Sequence, residues 1–372
     1  MPNTIGSVAQ NMVFWFQSVH YVLFIFRNKY CILFFKKKYE IEIRKARFAK
    51  LVMTQHTDKL LYSNTLYHLE TLHHCTICPR DCGVDRFEGK RCYCNADADF
   101  NISSICIHRG EEPAISGKNG IVNIFFSHCN LQCVFCQNFQ ISQNKVSDVP
   151  HFKTLHDIIN QICVLLDTGC QSVGFVSPSH YVQHVKVIID ALRSVGRKPI
   201  FVYNTNGYDK VEQLKTLEGY IDVYLPDFKY LDTELSLKYS GSKNYPDYIK
   251  SSIKEMYRQK GSTLITDENS VAESGLIIRH LVLPGHTQDS LNILEWIANE
   301  ISTNVHLSIM SQYYPTHKVS KYENLNRNIS IDEYNQVVNK FNELGFYKGW
   351  IQEMESNANY RPDFEYKHPF EH

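Results

Sequence analysis

From Gly120 onward the chain alternates short strand-like runs with amphipathic helical runs, and few folds accommodate that pattern. IVNIFFS, SVGFVS, PIFVYN, IDVYLP, GLIIRHLVLPG and VHLSIMSQYYP read as six strands. HDIINQICVLLDTG, YVQHVKVIIDALRSVG, YDKVEQLKTLEG, TELSLKYSG, YPDYIKSSIKEMYRQKG and SLNILEWIANEI read as the helices between them. Parallel strands need long crossovers and antiparallel ones do not, so the alternation predicts a parallel sheet built from βα units. The expected fold is α/β, an incomplete (βα)6 TIM-like barrel with an N-terminal cysteine-rich segment. In such barrels the chemistry gathers at the carboxyl ends of strands. Polar clusters stand at those positions here: Cys129 to Cys136 after the first strand, Ser177 and Ser179 after the second, and Thr205, Asn206 and Gly207 after the third. Asp227 and Lys229 follow the fourth, Arg279 lies within the fifth, and Gln312 follows the sixth.

Cysteine spacing narrows the chemistry further. Cys129, Cys133 and Cys136 form CxxxCxxC directly after the first predicted strand, with Phe135 just before the last thiol and Asn138 just after it. Thiolates hold 4Fe-4S clusters, normally one per iron, so three of them leave one iron open to another ligand. A second group, CTICPRDCGVDRFEGKRCYC, crowds Cys75, Cys78, Cys82, Cys92 and Cys94 into twenty residues. Pro79, Gly83 and Gly89 suit turns around ligands, so Cys75, Cys78, Cys82 and Cys94 are read as a second metal site, with Cys92 spare. Zinc and an iron-sulfur cluster both accept four thiolates, and spacing alone does not choose between them. With eight of twelve cysteines in these two groups, metal in a reducing, cytoplasmic setting is expected rather than disulfides.

Lysine plus arginine equals aspartate plus glutamate at 39 each, so no global field favours nucleic acid or an anionic membrane as partner. Residues 12 to 35 are apolar, but Arg27, Asn28 and Lys29 split them, and neither half reaches the roughly 20 residues of a membrane span. Residues 1–52 are therefore read as a non-native or disordered extension, with Met53 as the expected start. Residues 53–119 are read as the cysteine-rich segment, 120–320 as the barrel, and 321–372 as a C-terminal helix and tail packing on it.

In motif order the chain from Cys75 onward resembles the radical S-adenosylmethionine superfamily, and within it proteins related to pyruvate formate-lyase activating enzymes. CTICPRDCG, HRGEEPAISG, FCQN and GWIQE resemble segments of that branch. The resemblance implies a 4Fe-4S cluster on Cys129, Cys133 and Cys136 with S-adenosylmethionine bound to it. It implies cofactor contacts from Phe135 and Asn138, from Thr205, Asn206 and Gly207 (the family's TNG), from Asp227 and Lys229 in LPDFK, and from Arg279 in IIRHLVLPG. Two departures stand out. Where the family carries a GGE-type motif for the methionine amino group, this chain has GFVSPSH, which puts Ser177 and Ser179 there. Gln312 stands where a histidine is expected.

The implied activity is reductive cleavage of S-adenosylmethionine to a 5'-deoxyadenosyl radical that abstracts hydrogen, with a glycine of a partner protein as target. A small-molecule substrate is the alternative within that chemistry. An electron donor such as flavodoxin or ferredoxin is the implied partner. A non-catalytic iron-sulfur carrier and a zinc-stabilised binding protein are the readings from other classes, and neither needs six strand ends lined with polar groups.

Overall fold

The computed structural model describes Tyr62 and residues 64–144, 152, 154–354, 361–366 and 368–370. The expectations for residues 1–52 and for Met53 lie outside them. Among the described residues, nine strands form one sheet in the order β1-β2-β3-β4-β5-β7-β8-β9, with β6 paired to β7 off that path. The six predicted strands are β2 (Ile121–Phe126), β3 (Ser172–Val176), β4 (Ile200–Thr205), β5 (Val223–Pro226), β7 (Ala272–Leu281) and β8 (His306–Met310), all mutually parallel. β2, β3 and β5 are buried at every position, as expected for strands covered on both faces. The crossovers carry helices α1 (Leu155–Leu166), α2 (Val182–Ser194), α3 (Val211–Thr216), α4 (Thr233–Ser240), α5 (Tyr245–Lys260) and α6 (Thr287–Glu300), and α7 (Ile331–Glu343) follows β8. Sequence chemistry sets several of their starts. Thr154 caps α1 through the Asp157 amide, and Asp232 caps α4 through those of Glu234 and Leu235.

Three strands extend the six. β1 (Ile102–His108) lies antiparallel on β2, and β9 (Gly349–Ile351) adds a seventh parallel strand beyond β8. β6 (Ile265–Thr266) is a two-residue return against β7. β1 carries Ser103, Ser104 and Cys106 among its apolar residues, so it shows no hydrophobic run; β9 is too short to show any period. Gly349 is required in β9, because its φ is +120° and any Cβ would collide with the Leu307 carbonyl. Ahead of the first cysteine group lies a 3-10 helix, Leu66–His74, whose Leu66, Leu69 and Leu72 are buried.

The lower end of the barrel is filled by the segment between β1 and β2. Its one-turn helix, Pro113–Ser116, brings Ala114 and Ile115 against Val202, Val223, Leu225 and Ile277. That plug aims the preceding Glu111 and Glu112 upward into the barrel.

Candidate active site

The loop after β2 holds three thiols at one end of a cavity of about 370 Å³. Each sulfur has a donor. Asn206 Nδ2 lies 3.4 Å from Cys129 Sγ, as does the Leu131 amide; Ser240 Oγ lies 2.9 Å from Cys133 Sγ, and Ser142 Oγ 3.2 Å from Cys136 Sγ. Burial, followed by the neighbouring thiols, pushes Cys129 up to about 12. Burial also raises Cys133. Such thiols become anions when a metal takes the proton's place, and donors aimed at cluster sulfurs are a recognised means of tuning their potential. Three cysteines on one cavity, each with a donor, therefore suit a cluster with one open iron.

Opposite them, buried charges form one network. Arg279 donates to Asp227 Oδ1 at 2.8 Å, to Glu111 Oε2 at 2.9 Å and to Asn204 Oδ1 at 2.8 Å. Lys229 Nζ donates to the other Asp227 oxygen at 2.7 Å. Burial alone would push Asp227 up, but Arg279 and Lys229 together hold its pKa below the usual carboxylate value. Asn123 and Asn204 occupy Glu111 Oε1. Glu112 differs: it is only 8% exposed, burial raises its pKa, and its Oε2 has no partner.

Of the residues singled out from sequence, Cys129, Cys133, Cys136, Phe135, Asn138, Ser177, Asn206, Asp227, Lys229, Arg279 and Gln312 line this cavity. Ser179, Thr205 and Gly207 do not. Ser179 and Thr205 are hydrogen-bonded at 3.0 Å behind it, and the Gly207 amide donates to Thr205 Oγ1. These three shape the turn that presents Asn206. Sequence reading missed Glu111, Glu112, Ser142 and Ser240. Two adjacent acids within HRGEEPAISG were the available signal for the first pair. From the tail, Pro362 and Phe370 line the cavity, and Phe370 packs on His108 and Phe125.

Cys75, Cys78 and Cys94 are buried, Cys82 is half-buried and Cys92 is exposed, all in a loop outside that cavity. Burial, as the largest cause, pushes Cys78 and Cys82 up to about 12. Among the described residues, no three His, Cys, Asp or Glu side chains converge as ligands of a single metal ion. That holds for both cysteine groups alike.

A family model, the radical SAM superfamily, matches residues 123–297, from β2 into α6. An uncharacterized protein of Methanocaldococcus jannaschii, MJ0674, is 30% identical over 268 residues, which cover 71% of this chain and 73% of that one. The chain belongs to the radical SAM superfamily. Among solved structures, the chain is similar to SuiB of Streptococcus suis bound to S-adenosylmethionine, at 14% identity and TM-score 0.41. The match covers 61% of this chain and 48% of SuiB, about half its length. A domain of pyruvate-formate lyase-activating enzyme from Bacteroides vulgatus matches at 15% identity and TM-score 0.33, over 46% of this chain and 93% of that domain. Membership implies a 4Fe-4S cluster and S-adenosylmethionine, and makes the chain an enzyme. Among the described residues, no helix is long and apolar enough to cross a membrane.

Proposed function

We propose that this radical SAM enzyme abstracts hydrogen from a glycine of a partner protein. The observation that carries the reading is the size of the cavity. At about 370 Å³ it sits at the low end of the roughly 300–1,000 Å³ range of ligand pockets, and a cofactor made of a nucleoside and an amino acid takes most of it. What remains suits a loop tip without a side chain. When bound, the cluster with S-adenosylmethionine supplies one-electron cleavage of the sulfonium to methionine and a 5'-deoxyadenosyl radical, the cofactor's own chemistry.

This chain's residues do the positioning. Cys129, Cys133 and Cys136 hold three irons, and Asn206, Ser240 and Ser142 donate to their sulfurs. Asp227 is fixed by two cations and accepts from a hydroxyl or ammonium group; Lys229 and Arg279 offer charge to a carboxylate. Phe125, Phe135, Phe370 and Met310 line the same space and limit water, which a reactive carbon radical requires. A ferredoxin- or flavodoxin-type donor in a reducing cytoplasm supplies the electron.

A second reading, a small molecule with an amine or hydroxyl, is favoured by the unpartnered Glu112 Oε2. One experiment separates the two. Protein reconstituted anaerobically with iron and sulfide, reduced and given S-adenosylmethionine is mixed with the protein or the small-molecule fraction of cells grown on α-deuterated glycine. Deuterium in 5'-deoxyadenosine from the protein fraction alone supports the glycine target; label from the small-molecule fraction alone supports the second reading. No 5'-deoxyadenosine beyond a Cys136→Ala control would sink both.

A further inference from the structure

Arg86 is 1% exposed, and none of its bonds reaches a carboxylate. One terminal nitrogen donates to the His180 carbonyl at 2.9 Å and the other to Cys94 Sγ at 3.6 Å, while Nε is buried without a partner. Tyr181 lies under the guanidinium at 5.4 Å. An arginine keeps its proton in proteins, and a buried cation without an anion is strongly unfavourable. The groups that act most strongly on its charge are Cys94, Cys75 and Tyr181, while His180 and His184 are buried and kept neutral. Neither histidine offers negative charge. The one side-chain hydrogen-bond partner of Arg86 among the described residues is the Cys94 sulfur, and cysteines bound to a metal are thiolates. A metal-thiolate centre at Cys94 would supply the anion that the buried guanidinium lacks.

We propose that Cys75, Cys78, Cys82 and Cys94 hold a second iron-sulfur cluster, with Arg86 as its buried counter-cation. The loop is shaped for it. The Cys75 amide donates to the Val84 carbonyl and the Gly83 amide to the Cys75 carbonyl, and Asp81 and Gly83 on either side of Cys82 both take positive φ. This folds CTICPRDCG back on itself and leaves Cys92, on the exposed side, out of the set. A single zinc would draw its ligand sulfurs to about 2.3 Å from one point. A cluster instead spreads its four thiolates over four irons, and iron analysis separates it from a single zinc.

The second loop also touches the first. Asn144 Nδ2 donates both to the Tyr93 carbonyl, between Cys92 and Cys94, and to the Cys129 carbonyl. Arg80, two residues after Cys78, donates to the Asn130 carbonyl and lies 3.5 Å over the Tyr93 ring. Four thiolates leave no open iron, so this cluster carries electrons. It takes one electron from a low-potential carrier protein, which is thereby oxidised, and gives one up to the Cys129 cluster, with no bond made or broken.

The test uses the full chain with Cys129, Cys133 and Cys136 all changed to alanine, reconstituted anaerobically with iron and sulfide. The expected result is about four irons per chain and a reduced-cluster paramagnetic signal, both lost when Cys78→Ala is added. No retained iron, or one zinc in its place, overturns the proposal. In the same triple background, Arg86→Gln should make the cluster harder to reduce, because a neighbouring positive charge favours the added electron, and Arg86→Lys should recover part of the shift. In metal-free protein Arg86→Gln should raise the unfolding temperature by removing an unpaired buried charge. An unchanged midpoint potential in the glutamine variant overturns the counter-cation role.

Discussion

Arg279→Met removes the cation on which two buried carboxylates converge, and the cost follows from which of them keeps a partner. Asp227 retains Lys229 at 2.7 Å, so its charge stays paired. Glu111 keeps only two amide donors, Asn123 and Asn204, and is left as a buried anion without a cation. Breaking a buried ion pair by removing one member typically costs about 3–5 kcal/mol. The side chains are 13%, 9% and 19% exposed at Arg279, Glu111 and Asp227, so some solvent screening remains and about 3 kcal/mol is expected. The pH dependence has a definite sign. In the wild type the Asp227 pKa is depressed, so its contribution is complete above the unfolded value near 3.9 and is lost only as pH falls below that. From pH 8 to 5 this group leaves wild-type stability flat. In the variant, the penalty is that of the Glu111 carboxylate left without a cation, which Glu111→Gln removes. Urea unfolding of metal-free protein at pH 8 and pH 5, beside Arg279→Met with Glu111→Gln, measures both effects. The double variant should recover about 1–3 kcal/mol at pH 8. No recovery on neutralising Glu111 would refute this account of the network.

Three further outcomes follow from local geometry. Gly207→Ala should destabilise well beyond the about 1–2 kcal/mol expected for an alanine at positive φ, because the new Cβ meets the Ile249 side chain and lies 2.9 Å from the Asp227 carbonyl. Gly219→Ala, at φ +79° with open space around it, should cost the backbone term alone, and paired thermal melts compare them. Glu333 accepts from the Ser330 and Gly285 amides and pairs with Arg327, and its pKa is held down to about 2. Its stabilisation is therefore complete above about 4.3 and lost as pH falls toward 2, so Glu333→Gln should cost about 1–2 kcal/mol at pH 7 and the gap should close on acid titration. Cys92→Ser should keep the full iron load after reconstitution, measured by iron analysis against a Cys94→Ser variant that loses part of it.

What the sequence made legible was what is local in it. The βα alternation depends on side chains a few positions apart, so six of the seven parallel strands could be read; the cysteine motifs are local too. β9 escaped because three residues show no period, and β1 because serines interrupt its apolar face. The pairings at the site are of another kind. Glu111 reaches Arg279 across 168 positions, and nothing within HRGEEP states that a one-turn plug will lift its acids into a barrel floor. Arg86 makes the point most sharply. In VDRFEGKR it looks like one charge in a solvated run, yet the 3-10 turn at Arg86–Glu88, capped by Asp85, turns it inward against Cys94 and the His180 carbonyl. Burial of that single cation, invisible in a list of residues, argues more directly for metal at the neighbouring thiols than their spacing does. Spacing permits a site, and a buried charge beside the thiols gives the proposed one an electrostatic reason.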